Sequence, residues 1–199
     1  MTLVLLVRHA ETTHNEQGIL QGHLDIQLSE RGRQQARRLS ERMQDEPITA
    51  IYSSDLRRAT HTAQIISEPH GIDPVAIPEL AEQHLGKWQG KPKKMLLERL
   101  TDQELNWREW KPTDGESWEE LADRVLPTVS DLCERHADEV IALICHGKVN
   151  EVILEQATEG CDVHADQDNA CLNILKVTTE GSWSAKQIND VAHLSKEVE

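Results

Sequence analysis

The chain has 199 residues, four of them cysteine, and its 35 acidic side chains against 21 basic ones give a formal net charge of −14 at pH 7. A chain of this length can bury a core unaided, and the wide cysteine spacing argues against a disulfide framework or a zinc ribbon. The negative charge disfavours nucleic-acid and membrane partners, and no apolar run reaches the roughly 18 residues of a membrane span. We therefore expect a cytoplasmic globular protein whose thiols are buried and inert.

Apolar runs alternate with amphipathic segments along the first half of the chain. The run 3–7 is continuously aliphatic, as is typical of a strand buried on both faces. Ala36, Leu39 and Met43 form one apolar stripe at helical spacing. The predicted elements are, in order, a strand at 3–7, a polar loop at 12–25, a helix that Ser29 caps and that ends before Pro47, a strand at 48–52, and a helix that Ser54 or Asp55 caps and that ends at 70–71.

The second half continues this alternation around one polar, tryptophan-rich segment, 91–115, which we expect to form a cap over the sheet edge. The predicted elements are a short strand at 75–77, a helix at 95–107, a helix that opens with a Ser117/Glu120 capping box and is kinked by Pro127, a strand at 140–144, a helix at 148–156, an acidic loop at 159–168, and strands at 172–177 and 183–188. This order predicts one α/β domain over 1–199, a three-layer sandwich with a mostly parallel central sheet and helices on both faces.

Two histidines directly follow the two most aliphatic strands. His9 comes after the run 3–7, and His146 comes after the strand at 140–144. In doubly wound sheets, ligands bind at the carboxyl ends of the strands. Either histidine alone would more often be a structural or surface residue. However, Arg8 adds a guanidinium, and Gly147 adds free backbone N–H groups at a helix start, and both suit an oxyanion such as phosphate. The pattern therefore predicts an anion site.

Four segments in chain order carry a family resemblance. They are 6–15 (LVRHAETTHN), 52–59 (YSSDLRRA), 80–90 (LAEQHLGKWQG) and 145–147 (CHG), with weaker echoes at 115–117 and 169–172. Together they resemble the signature motifs of the histidine phosphatase superfamily, which also contains the cofactor-dependent phosphoglycerate mutases. The resemblance extends through nearly the whole chain and implies the α/β fold that the element order predicts.

The resemblance implies a role for each matching residue. His9 would be the nucleophile, because its neutral imidazole can attack phosphorus to form a phosphohistidine. Arg8, Arg58 and His146 would surround the nonbridging oxygens and stabilise their charge in the transition state. Glu82 would protonate the leaving alkoxide and then activate the water that hydrolyses the intermediate. Neither a metal ion nor another cofactor is expected.

Further residues are implied in substrate binding. They are Asn15, Gln21, Gly22, Gly147 and Lys148. Of the adjacent arginines at 57 and 58, the register of the motif favours the second. The chain departs from the family at Lys148, where small or uncharged residues are frequent, and at Glu151, where many relatives carry a basic residue. Lys148 could reach an acidic substrate or simply point to water from a first helical turn.

These features favour a metal-independent phosphomonoester hydrolase that acts on small phosphorylated metabolites through a phosphohistidine. A phosphoglycerate mutase is the alternative, but the long basic and proline-rich insertion of the mutases has no counterpart in 91–115. A non-catalytic phospho-ligand binding domain is disfavoured because both His9 and Glu82 are present. A metal hydrolase ranks last, since no His-x-x-x-His pair occurs. The tryptophans at 88, 107, 110 and 118 could line a pocket for an apolar leaving group, although their spacing favours a core role.

Overall fold

The computed structural model of the protein describes residues 1–158 and 167–195. The predicted acidic loop at 159–168 lies almost wholly outside the described residues, as does Cys161. The other three cysteines are free and buried, as expected of structural thiols.

A six-stranded sheet forms the centre of the domain. Its strands are β1 (Thr2–Arg8), β2 (Ile48–Ser53), β3 (Val75–Ala76), β4 (Val140–Cys145), β5 (Leu172–Val177) and β6 (Trp183–Asp190). They lie in the order β3-β2-β4-β1-β5-β6. The first four strands are mutually parallel, whereas β5 and β6 run antiparallel to their neighbours. The predicted mostly parallel sheet is therefore confirmed.

Helices cover both faces of this sheet. In chain order, the helices of the described residues are α1 (Thr13–Glu16), α2 (Glu30–Met43), α3 (Arg57–Ser67), α4 (Lys93–Asp102), α5 (Trp118–Arg135) and α6 (Gly147–Ala157). Of these, α2, α3, α5 and α6 pack on the sheet, whereas α4 packs in a separate apolar cluster. Along β1, Val4 and Leu6 pack in the core with α5 and α6, while Leu5 and Val7 pack in the opposite core with α2 and α3. Because successive strand residues point to opposite faces, the continuous aliphatic run of β1 serves both cores. The three-layer α/β fold is confirmed.

Two of the predicted helix starts are confirmed by their caps, and one is wrong. Ser29 accepts a hydrogen bond from the Gly32 N–H at 2.9 Å, and Ser117 opens α5 with the predicted capping box. At α3, however, neither Ser54 nor Asp55 is the cap, since the helix begins after Leu56 without a side-chain cap. The Arg57 N–H instead donates to a carboxylate of Asp25, 2.9 Å away. A side chain from a distant loop thus accepts the hydrogen bond from a free backbone N–H at the helix start, where a local side chain was expected to do so.

The prediction of the segments around the sheet needs two further corrections. The helix expected at 95–107 spans Lys93–Asp102, because Glu104 adopts a left-handed backbone conformation (φ 54°) that ends it. The loop expected at 12–25 contains the short helix α1, which Thr12 caps. Helix α5 is continuous across Pro127.

Candidate active site

A cavity of about 520 Å³ lies at the carboxyl ends of β1 and β4. All of the predicted site residues except His146 line it: Arg8, His9, Asn15, Gln21, Gly22, Arg58, Glu82, Gly147 and Lys148. His146 is buried, with its ring centroid 5.2 Å from that of His9. Parallel β1 and β4 pair through Arg8 and Cys145, so both histidines leave the sheet at the same edge. The structure thus brings the predicted residues together.

His9 is held as a neutral imidazole with a defined tautomer. Its Nδ1 lies 2.8 Å from the Ala10 carbonyl oxygen, and an oxygen acceptor at this position requires Nδ1 to carry the proton. Burial, reinforced by the positive charges of Arg58 and Arg8, holds the pKa of His9 well below its ordinary value. The lone pair is therefore on Nε2. A neutral imidazole of this kind can act as a nucleophile at neutral pH.

Two guanidiniums, one buried and one half-buried, lie beside His9. Arg58 is 1% exposed and donates to the carbonyl oxygens of Leu24 (2.8 Å) and Gly22 (2.7 Å). Arg8 donates to the carbonyl oxygen of Gln167. Burial lowers the pKa of Arg58 to about 10, so the side chain stays charged at neutral pH. The Nε atoms of both arginines are buried and have no hydrogen-bond partner in the described parts of the chain.

His146 adds further polar atoms without partners. It precedes α6 as the N-cap residue, and both of its ring nitrogens are buried without a hydrogen-bond partner among residues 1–158 and 167–195. Burial and the neighbouring Arg58 hold its pKa well below the usual value, so the ring is neutral. Buried polar groups are almost always hydrogen-bonded in proteins. Donors left unpaired beside two guanidiniums are suited to binding an oxyanion such as phosphate.

Glu82 faces this cluster from the segment that follows the 3₁₀ turn Pro78–Leu80. Its carboxylate accepts hydrogen bonds from the backbone N–H groups of Gln83 (3.0 Å) and Lys148 (3.2 Å). A Cβ atom built on Gly147 would stand 3.8 Å from this carboxylate and 3.7 Å from Arg8 Nε, so the glycine lies between the acid and the guanidinium. The carboxylate is therefore held at the start of α6, on the side of the cavity that Arg8 and Gly147 also line.

An ion pair outside the cavity fixes the backbone around Glu82. Arg124 donates to the carbonyl oxygens of Glu79 (2.6 Å) and Ala81 (3.0 Å) and pairs with Glu116 at 2.8 Å. Glu116 also accepts from the His84 N–H at 3.2 Å. Both sides of Glu82 are thus tied to one half-buried salt bridge, although no sequence motif pointed to Arg124.

The loop before α2 supplies the remaining predicted binding residues. Gly22 has a positive φ of 50°, which favours glycine, and a Cβ atom there would displace the end of the Gln89 side chain, 2.4 Å away. Gln21 accepts from the Thr12 hydroxyl at 2.9 Å. Asn15 accepts from the backbone N–H of Thr12 at 3.1 Å. These bonds hold the loop against the end of β1.

Lys148 lines the cavity, and its ammonium is paired there with Glu151. Its Nζ lies 2.7 and 2.8 Å from the two carboxylate oxygens of Glu151, and 4.6 Å from the centroid of the Trp107 ring. All three residues line the cavity. Trp107 is thus a pocket wall, whereas Trp110 and Trp118 are buried, which confirms the core interpretation for these two.

Two contributors from the chain just before β5 were not predicted. Asn169 donates to the carbonyl oxygen of His9 (3.1 Å) and to the side chain of Asn15 (3.3 Å), and the carbonyl oxygen of Gln167 accepts from Arg8. The sequence marked 169–172 only as a weak echo of the family. Because β5 is antiparallel to β1, with Leu172 beside Val7, its start lies where β1 ends. Topology, which the sequence alone did not specify, explains their position.

The described residues contain neither a metal-binding cluster nor a membrane-spanning helix. No group of three or more histidine, cysteine, aspartate or glutamate side chains is arranged there to hold a metal ion. Within the same residues, none of the helices is long and apolar enough to cross a membrane.

Sequence comparison relates the chain to a known family and to two curated proteins. Residues 4–191 match the model of the histidine phosphatase superfamily (branch 1). The chain is 32% identical over 206 residues to phosphoglycerate mutase-like protein 4 of Arabidopsis thaliana, covering 97% of this chain and 87% of the relative. It is also 32% identical over 211 residues to the metal-independent phosphoserine phosphatase of the same plant, covering 98% and 84%.

Solved structures match the fold closely. Bacillus stearothermophilus YhfR superposes with a TM-score of 0.89 at 28% identity, covering 98% of this chain and all 100% of that one. A mycobacterial glucosyl-3-phosphoglycerate phosphatase in complex with VO3 gives a TM-score of 0.84 at 30% identity, covering 94% and 98%. Because the family model matches residues 4–191, which is nearly the whole chain, the chain belongs to the histidine phosphatase superfamily.

Proposed function

We propose that the protein is a metal-independent phosphomonoester hydrolase that acts on small phosphorylated metabolites through a phosphohistidine at His9. The observation that carries this proposal is the neutral His9 ring, tethered at Nδ1 by the Ala10 carbonyl and flanked by two guanidiniums whose buried Nε atoms have no partner in the described residues. This arrangement supplies a nucleophile and the charge that a phosphoryl group needs. Glu82, across the same cavity, supplies an acid.

The first step transfers the phosphoryl group to the protein. His9 Nε2 attacks phosphorus and forms the N–P bond as the ester P–O bond breaks. Glu82 gives its proton to the departing oxygen, so the product leaves as a neutral alcohol. Arg8, Arg58 and His146 donate to the nonbridging oxygens, over which the negative charge spreads in the transition state.

The second step regenerates the protein with water. The Glu82 carboxylate removes a proton from a water molecule as its oxygen attacks phosphorus. The N–P bond breaks, and its electron pair returns to His9 Nε2. Inorganic phosphate leaves, and the cycle consumes one ester and one water molecule. No step requires a metal ion, since the arginines provide the positive charge.

Segment 91–115 acts as the proposed cap that limits the size of the substrate. Helix α4 contributes Lys93 and Leu97 to the cavity wall, and Trp107 follows in the turns after it. A cavity of about 520 Å³ is appropriate for a small metabolite. The ion pair between Lys148 and Glu151 favours a hydrolase activity over a mutase activity. Because Glu151 neutralises the lysine, less positive charge remains in the cavity to bind the second phosphate of a bisphosphorylated donor. The presence of both His9 and Glu82 argues against a purely binding role.

Trapping the intermediate tests the proposal. Purified protein treated with EDTA is expected to release phosphate from a panel of phosphorylated metabolites. Rapid quenching with labelled substrate should yield an alkali-stable, acid-labile label on His9. His9→Ala should abolish label and turnover, whereas His61→Ala, a change outside the cavity, should retain both. Label on a serine or cysteine, or turnover that EDTA removes, would contradict the mechanism.

A further inference from the structure

One ion pair lies in the part of the cavity that would face the leaving group. Lys148 and Glu151 stand one turn apart at the start of α6, and each side chain is 24% exposed. Both carboxylate oxygens of Glu151 lie within 2.8 Å of the Lys148 ammonium. The ammonium also lies over the face of Trp107, 4.6 Å from the ring centroid. Glu151 and the aromatic ring thus fix the lysine in one orientation.

This pairing decides how the lysine charge acts on a substrate. An anionic group on the substrate would have to displace Glu151 from Lys148 or accept the nearby negative charge. Both alternatives are unfavourable in a partly desolvated wall, where like charges repel more strongly than in water. A neutral hydroxyl, by contrast, can donate to Glu151 without breaking the pair. The apolar side chains of Leu97 and Trp107 add a wall that favours uncharged groups.

We propose that Glu151 is a specificity-determining residue that selects against phosphomonoesters whose leaving group carries a second anionic group. It does so by neutralising Lys148, which would otherwise attract such a group. This inference rests on the proposed function, because it concerns the alcohol part of the ester. The selected substrates are esters of neutral, hydroxyl-bearing alcohols, and the excluded ones are carboxylate-bearing esters and bisphosphates.

Lys93 is the competing candidate for binding an anionic leaving group. It lines the cavity from the first residue of α4, and its side chain is exposed. Water and salt screen an exposed charge strongly, so its attraction is weaker than that of a partly buried lysine. If Lys93 controlled selection, removing the Glu151 charge would not change the preference of the site.

Two substrates that differ in one group provide the test. Glycerol 3-phosphate and 3-phosphoglycerate carry the same phosphate ester, but the far carbon is a hydroxymethyl group in one and a carboxylate in the other. We expect the wild-type protein to prefer glycerol 3-phosphate in kcat/KM. Glu151→Gln frees Lys148 and should raise the ratio for 3-phosphoglycerate over glycerol 3-phosphate by about tenfold, the size of effect that one charge contact gives.

Two matched variants identify the source of the change. Glu155→Gln removes the same charge from the next turn of α6 without touching the cavity, and it should leave the ratio unchanged. Adding Lys148→Met to Glu151→Gln should abolish the gain, because the freed lysine is its cause. An unchanged ratio in Glu151→Gln, or a gain that persists without Lys148, would overturn the inference. If the kcat/KM ratio of 3-phosphoglycerate to glycerol 3-phosphate fell only in Lys93→Met, the selection would be assigned to Lys93 instead.

Binding measurements separate this inference from the proposed hydrolysis. In His9→Ala protein, which should not turn over, calorimetry can measure the affinity for the same two esters with Glu151 intact and with Glu151→Gln. A tenfold shift in relative affinity supports the selection even if no ester is hydrolysed. Hydrolysis of both esters with no shift in affinity or in kcat/KM refutes the selection while leaving the hydrolase proposal intact.

Discussion

Replacing Arg58 by alanine tests whether the buried guanidinium serves the transferred phosphoryl group. Arg58 is fixed by the carbonyl oxygens of Gly22 and Leu24, and its Nε atom has no partner in the described residues. The adjacent Arg57 offers a matched control on the same helical turn. Its side chain is 46% exposed and pairs with Asp25 at 3.4 Å. The two variants remove the same charge at neighbouring positions.

The structure sets different magnitudes for the two changes. Loss of one preorganised donor to a transition-state oxyanion costs about 2 to 4 kcal/mol, so Arg58→Ala should lower kcat/KM at least about thirtyfold. It also leaves two carbonyl oxygens without their donor, which should lower the free energy of unfolding by about 1 to 3 kcal/mol. Arg57→Ala removes only an exposed ion pair and should cost under about 0.5 kcal/mol in either measurement. The backbone N–H of Arg57 keeps its bond to Asp25 in the variant.

Steady-state kinetics and urea unfolding separate catalysis from folding. Arg58→Lys keeps a charge and refines the test, because lysine lacks the fork that contacts both carbonyls and the substrate at once. We expect it to recover part of the stability and little of kcat/KM. Equal losses of activity in Arg57→Ala and Arg58→Ala would refute the assignment. So would full activity in Arg58→Ala protein that is stably folded.

Three other expectations follow from the site. Glu82→Gln should slow alkyl phosphates by about a hundredfold and activated aryl phosphates much less, since only poor leaving groups need the proton; equal slowing would make Glu82 structural. Arg124→Ala should show the same dependence and slow alkyl phosphates more than about tenfold, because Arg124 holds the Glu82 segment through backbone carbonyls and Glu116. An equal loss of rate with alkyl and aryl phosphates would contradict this positioning role. Burial lowers the pKa of His9 in the folded state, so the unfolded chain binds its proton first as the pH falls. The free energy of unfolding should therefore decline below about pH 6.5, and His9→Gln should flatten that decline in urea titrations at several pH values; an unchanged slope would show that His9 does not cause it.

The placement of His9 and His146 was predictable because it depends on local pattern. A continuous aliphatic run followed at once by a polar residue marks where a buried strand ends. The carboxyl ends of parallel strands meet at one edge, so two such residues are expected to be neighbours. Glu82, by contrast, lies on an irregular segment between the 3₁₀ turns Pro78–Leu80 and Gly86–Trp88. No periodicity identifies such a residue, and only the family resemblance pointed to it.

The unpredicted features depend on contacts between distant parts of the chain. Asn169 reaches His9 because β5 is antiparallel to β1. Asp25 accepts a hydrogen bond from the first backbone N–H of α3, although it lies 32 residues earlier in the chain. The pairing of Lys148 with Glu151 was accessible in principle, since opposite charges three apart on a predicted helix face each other. The position of Trp107 was not, because left-handed residues in segment 91–115 redirect the chain after α4.

The acidic composition of the chain and the proposed anion site are compatible because charges act over limited distances. The net charge of −14 belongs to the whole chain, and at physiological salt exposed charges act over only about 8 Å. Arg8 and Arg58 are partly or fully buried beside His9, where a lower dielectric strengthens their attraction for a phosphate within contact distance. The substrate that we propose, a small ester, would enter the cavity alone. The binding of its single phosphate would therefore depend on the few groups that touch it, and not on the net charge of the chain.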